Sequence, residues 1–420
     1  MQKPLTNGWH GLINSPMTFP MREKPIIQHI VYRHAEDAAF FWLQRDRFVR
    51  SADACLDDIR NTDQKIRAHI NGLQAAGQAG WEVAWEALQQ FTEPGEMFVA
   101  SAVAFALFDD EAPFQELLAM VTTEPTIQRG FLSACAWSEE RHVIPVMKRF
   151  FQSASLQQRK IGIAVCALRR LNPGNVLHFA LTQNDPDLQV CALRATGELG
   201  LQEHKHHLRS ILADQKGEQY FWAAWSLVLL GDRGPALEQL CHIMQDTEHP
   251  YQSRALSLAI RALPFDHACH YIDHMGKQDG LLCQAIVACG VLGAPEGVSG
   301  LIQCMGNASL ARIAGDAFSR ITGVSLDEEG LTTESPATDL DDEDGINSDD
   351  HWPDANKVEQ WWQSHKTTYE SGQRYLLGHK LDCEYMLSVL EKGTQVVRRG
   401  VALDLMLSGH HSFLCNTSQS

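Results

Sequence analysis

The sequence DPDLQVCALRATGELG, from Asp185 to Gly200, has the pattern of a short helix that packs closely against other helices. The stretch is rich in alanine, and small side chains such as Ala192 and Ala195 permit a neighbouring helix to approach closely. The predicted helix ends at the apolar Leu199, and a short glycine-containing turn leads into a second apolar helix. The stretch therefore predicts the first half of a helix pair.

The same unit recurs along most of the chain, beginning near residue 80. The residues that close its first helix follow one another at intervals of 28 to 34 residues: Leu107, Trp137, Leu171, Leu199, Leu230, Leu263, Leu292 and Thr322. One such pair cannot bury its own apolar face, so neighbouring pairs must stack on one another. We therefore expect an all-α protein whose centre is a curved α-solenoid of about eight helix pairs.

The type of repeat follows from its length and its residues. A period near 30 residues overlaps tetratricopeptide and ankyrin lengths, but the ankyrin T-P-L-H-x-A signature and the tetratricopeptide Trp/Gly/Tyr pattern are absent. DPDLQVCALRATGELG instead resembles the short HEAT-like repeats of bacteria, including those named after phycobilisome lyases. The stretch SLARIAGDAFSRITG, from Ser309 to Gly323, has a weaker version of the same pattern. We expect short HEAT-like helix pairs.

The sequence predicts five regions. Residues 1–25 hold four prolines and form an extended N-terminal arm, and residues 26–90 form a helical N-terminal region. The HEAT-like solenoid occupies residues 91–326. Residues 327–354 are rich in Asp and Glu and lack Lys and Arg, which predicts a disordered acidic linker. Residues 355–420 form a C-terminal helical region whose last residues are expected to fray.

The composition indicates a folded protein with free thiols. Hydrophobic residues make up 44% of the chain, enough for a sizeable core. The formal net charge of −17 repels phosphate, so we expect neither nucleic-acid binding nor attraction to an anionic membrane. The 11 cysteines include no C-x-x-C pair, as is usual in a reducing compartment. Because the chain also shows neither the apolar core of a secretory signal nor a membrane-spanning run, we expect a cytoplasmic location.

One group of histidines has a spacing that could suit a metal ion. His267, His270 and His274 lie at i, i+3 and i+7 in DHACHYIDHMG, so a helix would place them on one face, where imidazoles can bind zinc. A polar helix face is the simpler explanation of the same spacing. We therefore predict no metal site, and we keep these three residues as the candidates if one exists.

Other chemical signatures are weak or missing. The run EHKHH places His204, His206 and His207 at the start of a helix, which is typical of a solvated turn. The acidic segment that begins at Asp339 lacks the glycine which an EF-hand calcium loop needs at its sixth position. The chain contains no P-loop, G-x-G-x-x-G, G-x-S-x-G or H-E-x-x-H motif. We predict no catalytic residue and no cofactor, so the protein is expected not to be an enzyme.

Aromatic and arginine side chains are the better candidates for a function. Adjacent aromatic residues, such as Phe221 and Trp222, cannot both face the same way on one helix, so one of them is exposed or covered by another element or by a partner. Tryptophan is enriched where proteins bind one another, although large aromatic residues more often pack between elements of the same chain. From their positions in the repeats and in the C-terminal region we predict these partner-binding residues: Arg194, Trp222, Trp225, Arg254, Trp361 and Trp362.

The two ends of the chain resemble a known family. The stretches are HAEDAAFFWLQRDRFVRSADACLDDIRNTDQKIRAHINGLQAAGQAGWEVAWEAL (His34 to Leu88), WPDANKVEQWWQSHKTTYESGQRYLLGHKL (Trp352 to Leu381) and GTQVVRRGVALDLML (Gly393 to Leu407). They resemble an uncharacterised bacterial family of HEAT-repeat proteins in which such blocks flank a repeat middle. Members of that family are often encoded in type VI secretion gene neighbourhoods, near spike, PAAR-type and effector genes.

The resemblance implies a role in type VI secretion. The first hypothesis is a non-enzymatic adaptor or chaperone whose concave solenoid face holds an effector or a spike or PAAR component. The second is an immunity protein that covers the site of a cognate toxin. A third, from a different class, is a metal-dependent enzyme resembling the HEAT-like lyases or hydroxylases. The net charge of −17 suits a basic partner, because surface charges steer protein encounter.

Overall fold

The computed structural model describes residues 26–108, 112–214, 217–334 and 352–418. This part of the chain is built almost wholly of helices, which confirms the predicted all-α class. None of its helices has the length and apolarity that crossing a membrane requires. The predicted extended arm, residues 1–25, and the interior of the predicted acidic linker, residues 335–351, lie outside the described residues.

The N-terminal region consists of three helices, α1 (Gln28–Arg50), α2 (Leu56–Ala75) and α3 (Gln78–Gln90). The apolar stripe of α2 faces inward, and Ile66, Ile70 and Leu73 are fully buried against the neighbouring helices. Helix α1 contacts α2, α3 and the first helix of the repeat region. The N-terminal region is therefore continuous with the solenoid rather than a separate body.

The repeat region follows as alternating helices. They are α4 (Pro94–Leu107), α5 (Ala112–Thr123), α6 (Gln128–Trp137), α7 (Glu140–Gln152), α8 (Leu156–Arg169), α9 (Asn175–Thr182), α10 (Pro186–Glu198), α11 (Lys205–Asp214), α12 (Glu218–Leu229), α13 (Pro235–Ile243), α14 (Gln252–Ala262), α15 (Phe265–Gly276), α16 (Leu282–Leu292), α17 (Val298–Met305) and α18 (Ala311–Thr322). Each predicted closing residue lies within two residues of the end of an even-numbered helix.

The repeat helices lie in two layers. The even-numbered helices contact one another in succession from α4 to α18 and form the first layer. The odd-numbered helices from α5 to α17 form the second layer, and each contacts the even-numbered helix that follows it. This order of contacts is that of a helical solenoid, in which each unit packs on its neighbours.

Local interactions explain why the helix at Asp185–Gly200 forms and packs as it does. The Asp185 carboxylate accepts a hydrogen bond from the Leu188 backbone N–H at 2.8 Å and caps α10. Gly197 lies so close to α12 that a Cβ atom there would be 2.4 Å from Ser226 Oγ. Ser226 Oγ in turn donates to the carbonyl of Leu193 at 2.7 Å. Small residues therefore set the spacing between successive first-layer helices.

The C-terminal region begins where the ends of the predicted acidic linker pair with each other. Strand β1 (Thr332–Thr333) pairs antiparallel with β2 (Trp352–Pro353). The remaining elements are α19 (Ala355–His365), the short hairpin of β3 (Tyr375–Leu376) and β4 (His379–Lys380), α20 (Cys383–Lys392) and α21 (Gln395–Leu407). Helix α19 contacts α17, and the β-hairpin contacts α18. Residues 327–334 and 352–354, at the two ends of the predicted linker, are thus part of the described structure.

Helix α21 and the residues after it lie across the first layer. The helix contacts α12 and α14, and the backbone N–H groups of Gln395 and Val396 donate to the carbonyls of Ala54 and Ala52, between α1 and α2. The sequence analysis expected the last residues to fray; those that the structure describes, up to Ser418, lie against the solenoid. Leu414 N donates to the carbonyl of Glu198, and the Asn416 side chain donates to that of Leu168. The C-terminal region therefore joins the solenoid to the N-terminal helices.

Candidate functional site

Three consecutive first-layer helices bring together three of the predicted partner-binding residues. Trp222 of α12 is only 4% exposed, because guanidinium groups from both neighbouring helices lie against its ring. The Cζ of Arg194, from α10, is 5.3 Å from the ring centroid, and that of Arg254, from α14, is 5.5 Å away. Cations at this distance are attracted to the face of an indole ring. We call Arg194, Trp222 and Arg254 the Arg–Trp cluster.

The two arginines of the cluster differ in their partners. Arg194 Nε donates to Glu198 Oε1 at 2.7 Å, and Arg170 Nη1 lies 3.2 Å from the other oxygen of the same carboxylate. Glu198 raises the pKa of Arg194. Arg254 is exposed and makes no hydrogen bond or ion pair with any residue that the structure describes. Packing against its neighbours lowers the pKa of Arg254, and the charge of Arg194 lowers it further.

Two residues that the sequence analysis did not single out hold the tryptophan in place. Glu218 Oε1 accepts hydrogen bonds from Trp222 Nε1, at 3.3 Å, and from the hydroxyl of Tyr251. The Tyr251 ring stacks on Phe221 with 4.3 Å between centroids and 5° between planes. Burial raises the pKa of Tyr251, as does its hydrogen bond to Glu218. These contacts fix the orientation of Trp222, against whose ring both guanidinium groups lie.

The cluster has the chemistry of a site for a carboxylate. Arg254 has unused N–H donors, and a guanidinium binds a carboxylate through two parallel hydrogen bonds. A negative group beside Arg254 would also offset the repulsion by Arg194 that lowers the pKa of Arg254. The chain's own C-terminal segment borders the site, because Leu414 N donates to the carbonyl of Glu198.

The remaining predicted partner-binding residues, Trp225, Trp361 and Trp362, pack against other parts of the fold. Trp225 is 6% exposed and lies next to Trp222, with their ring centroids 5.4 Å apart, and both indoles belong to the same buried core. Trp362 is buried against Tyr369, and Trp361 packs edge-on against Phe318 of α18. Both tryptophans of α19 therefore attach the C-terminal region to the end of the solenoid.

A buried group of charges lies beneath α21. Asp404 Oδ2 is 3.1 Å from Arg261 Nε, and its Oδ1 is 2.9 Å from Arg374 Nη1, although that second approach lacks hydrogen-bond geometry. Arg320 lines the same cavity, and burial lowers its pKa to about 10. The cavity has a volume of about 10 Å³, room for about one water molecule. This small cavity and the buried ion pairs indicate an anchor for α21 rather than a ligand site.

The predicted histidine candidates are not the histidines that the fold brings together. His267, His270 and His274 are all exposed on α15 and do not form a metal-ligand group among the described residues. A different group does converge: His178 of α9, with His204 and His207 at the start of the next second-layer helix. The sequence analysis treated His204 and His207 as a solvated turn, because His178 lies in the preceding repeat and its proximity depends on the stacking.

Two comparisons with known proteins give no match. The sequence matches no protein-family model. It has no significant match among curated proteins either. A function for this chain therefore has to be argued from its own residues and fold.

Proposed function

We propose that this protein is a non-enzymatic binding scaffold of a type VI secretion system, which holds an effector or a spike or PAAR component as an adaptor or chaperone. The observation that supports binding is the Arg–Trp cluster. The resemblance of His34 to Leu88, Trp352 to Leu381 and Gly393 to Leu407 to the secretion-associated family supports the choice of system.

The cluster suits contact with a protein for reasons of entropy and charge. Trp222 is held in one orientation by Glu218 and by the two arginines, so little side-chain freedom is lost when a partner binds. Arg254 keeps unpaired donors at the surface of the described chain. Arginine and tryptophan are the residue types that most often dominate binding energy at protein interfaces. The partner would place an Asp, a Glu or a terminal carboxylate against the unpaired donors of Arg254.

The overall charge and the local charge act over different distances. The net charge of −17 favours approach of a partner with a basic surface, an effect that salt weakens. At short range the cluster offers two guanidinium groups; Arg194 forms an ion pair with Glu198, whereas Arg254 forms none with the residues that the structure describes. A partner with a basic surface and one acidic contact group satisfies both requirements.

A cytoplasmic location is part of the proposal. All eleven cysteines are free thiols, in keeping with a reducing compartment. Burial raises the pKa of Cys166 to about 12 and that of Cys191 to about 11, so these thiols stay protonated and unreactive at neutral pH. They serve as small apolar side chains in the helix interfaces.

Affinity capture of the tagged full chain from its own host, followed by mass spectrometry, tests the proposal. The expected result is recovery of one secretion effector, spike or PAAR component in near-equal amount at low salt. Recovery of no secretion component would overturn the proposal. Expression with the toxin encoded beside it then separates the two roles. An adaptor is needed for secretion, whereas protection of a sensitive cell without any secretion defect would identify an immunity protein instead.

A further inference from the structure

Three histidines converge on the second layer of the solenoid, away from the Arg–Trp cluster. His178 comes from α9, His204 ends the short 3₁₀ turn Gln202–His204, and His207 lies in the first turn of α11. One ring nitrogen from each lies within 4.8 Å of those from the other two. The ring centroids of His178 and His207 are 4.8 Å apart, with the rings nearly perpendicular.

Within the described chain, the ring of His207 has a buried nitrogen without a partner, which favours a ligand at this position. Nδ1 of His207 is buried and has no hydrogen-bond partner among the residues that the structure describes. A buried ring nitrogen without a partner is costly, and coordination of a metal ion would remove that cost.

We propose that His178, His204 and His207 form a binding site for a divalent transition-metal ion of the zinc class. Three imidazoles supply three ligands, and the fourth position of a tetrahedral zinc ion is then open to water or to an outside ligand. Tetrahedral zinc bound to imidazole nitrogens places them about 3.3 Å apart, from bond lengths near 2.0 Å. The rings must therefore close by roughly an ångström or more, which side-chain rotation at this partly exposed position permits.

The site would link two successive repeats. His178 belongs to the pair α8 and α9, whereas His204 and His207 belong to the pair α10 and α11. Helices α9 and α11 are each held mainly through first-layer neighbours, α9 by α8 and α10, and α11 by α12. A metal ion shared by these histidines would join the second layer directly and would hold the two repeats at a fixed spacing. This role is independent of the proposed secretion function.

Titration of the purified full chain, stripped with a chelator, with Zn²⁺ and with Co²⁺ tests the site. We expect one ion per chain by calorimetry, a tetrahedral Co²⁺ absorption spectrum, and a higher melting temperature with metal. His178→Ala and His204→Ala should each weaken binding by at least about tenfold, since each removes one of three ligands. The chain supplies a matched control in its other histidine triad. The triple variant of His267, His270 and His274 to alanine should bind as the wild type does.

The outcomes are distinguishable. Loss of the Co²⁺ spectrum in the α15 triple variant, with binding retained in His178→Ala, would overturn the assignment. Absence of stoichiometric binding at micromolar metal in the wild type would also overturn it. A folding defect cannot imitate the expected result, because the helical circular dichroism of each variant is compared before metal is added. Neither result bears on whether the Arg–Trp cluster binds a partner.

Discussion

Asp404 of α21 forms an ion pair with Arg261 of α14, with 3.1 Å between Oδ2 and Nε, although the two residues are 143 positions apart in the sequence. Both side chains are almost fully buried. Gly400, one turn earlier on α21, allows this approach, because a Cβ atom there would lie 2.5 Å from an Arg261 nitrogen. The pair therefore fixes the C-terminal helix on the first layer of the solenoid.

Asp404→Ala should be strongly destabilising. Removing the carboxylate leaves the buried guanidinium of Arg261 without its counter-charge, and breaking a buried pair in this way costs about 3–5 kcal/mol. Urea unfolding, monitored by tryptophan fluorescence, should show a clear decrease in the midpoint. Asp273→Ala is the control, because Asp273 pairs with Lys277 on an exposed surface. Equal midpoints for the two variants would contradict the anchoring role.

Arg254→Ala should cost little stability, unlike a change at the ring that it covers. Arg254 makes no hydrogen bond or ion pair with the described residues, so its loss removes a cation–π contact worth about 0.5–1 kcal/mol. Trp222→Ala removes a buried indole and should cost about 3–5 kcal/mol. Unfolding midpoints of both variants test this contrast. A large loss of stability in Arg254→Ala would mean that the residue is structural, which would weaken its assignment to binding.

Gly200→Ala should displace the C-terminal segment. Gly200 has a φ of +68°, and a Cβ atom there would lie 1.7 Å from the carbonyl oxygen of Ser412. Gly77→Ala is the matched control, because Gly77 has a φ of +58° and open space around the added atom. Both variants incur the cost of a left-handed alanine, about 1–2 kcal/mol. Only Gly200→Ala should also speed hydrogen exchange at Leu414, and equal exchange rates in the two would argue against a tightly docked segment.

The packing of α1 on α2 should weaken in mild acid. His34 and His69 share a hydrogen bond with 3.1 Å between their Nδ1 atoms, and one of these atoms must be unprotonated. Burial lowers the pKa of His69 below its ordinary value of 6.5, although Asp37 opposes this effect. At a pH above 6.5 the His69 ring is neutral in both the folded and the unfolded chain. As the pH falls below it, the unfolded chain binds the proton first, so stability decreases.

His69→Gln should therefore reduce the loss of stability between pH 7 and pH 5 in urea titrations. Glutamine keeps a hydrogen-bonding side chain but does not titrate. The same pH dependence in the variant and the wild type would show that another group is responsible.

The sequence predicted the repeat architecture because its determinants are local. Alanine-rich helices, apolar closing residues and glycine turns recur along the chain, and the predicted closing residues lie within two residues of the first-layer helix ends. For the same reason Arg194, Trp222 and Arg254, chosen by repeat position, lie together in the fold. Stacking brings equivalent positions of successive repeats side by side.

The remaining features depend on contacts that no local pattern encodes. Asp404 meets Arg261 because of where α21 lies on the solenoid. His178 meets His207 because of how two successive repeats stack on each other. The path of the C-terminal segment is equally non-local, because it runs from α10 past α8 towards α1. Trp361 and Trp362 were assigned to partner binding because their aromatic character alone does not distinguish a docking surface from internal packing.

The most direct test of the binding account compares two folded variants of the tagged chain by the amount of secretion component that each captures from the native host. Arg194→Ala combined with Arg254→Ala removes both guanidinium groups from Trp222, whereas Arg141→Ala removes an exposed arginine of α7 that contacts a nearby glutamate and histidine. The account predicts that the double variant recovers at least about tenfold less of the secretion component than the wild type, and that Arg141→Ala recovers a normal amount. Undiminished recovery by a correctly folded double variant would contradict the central claim.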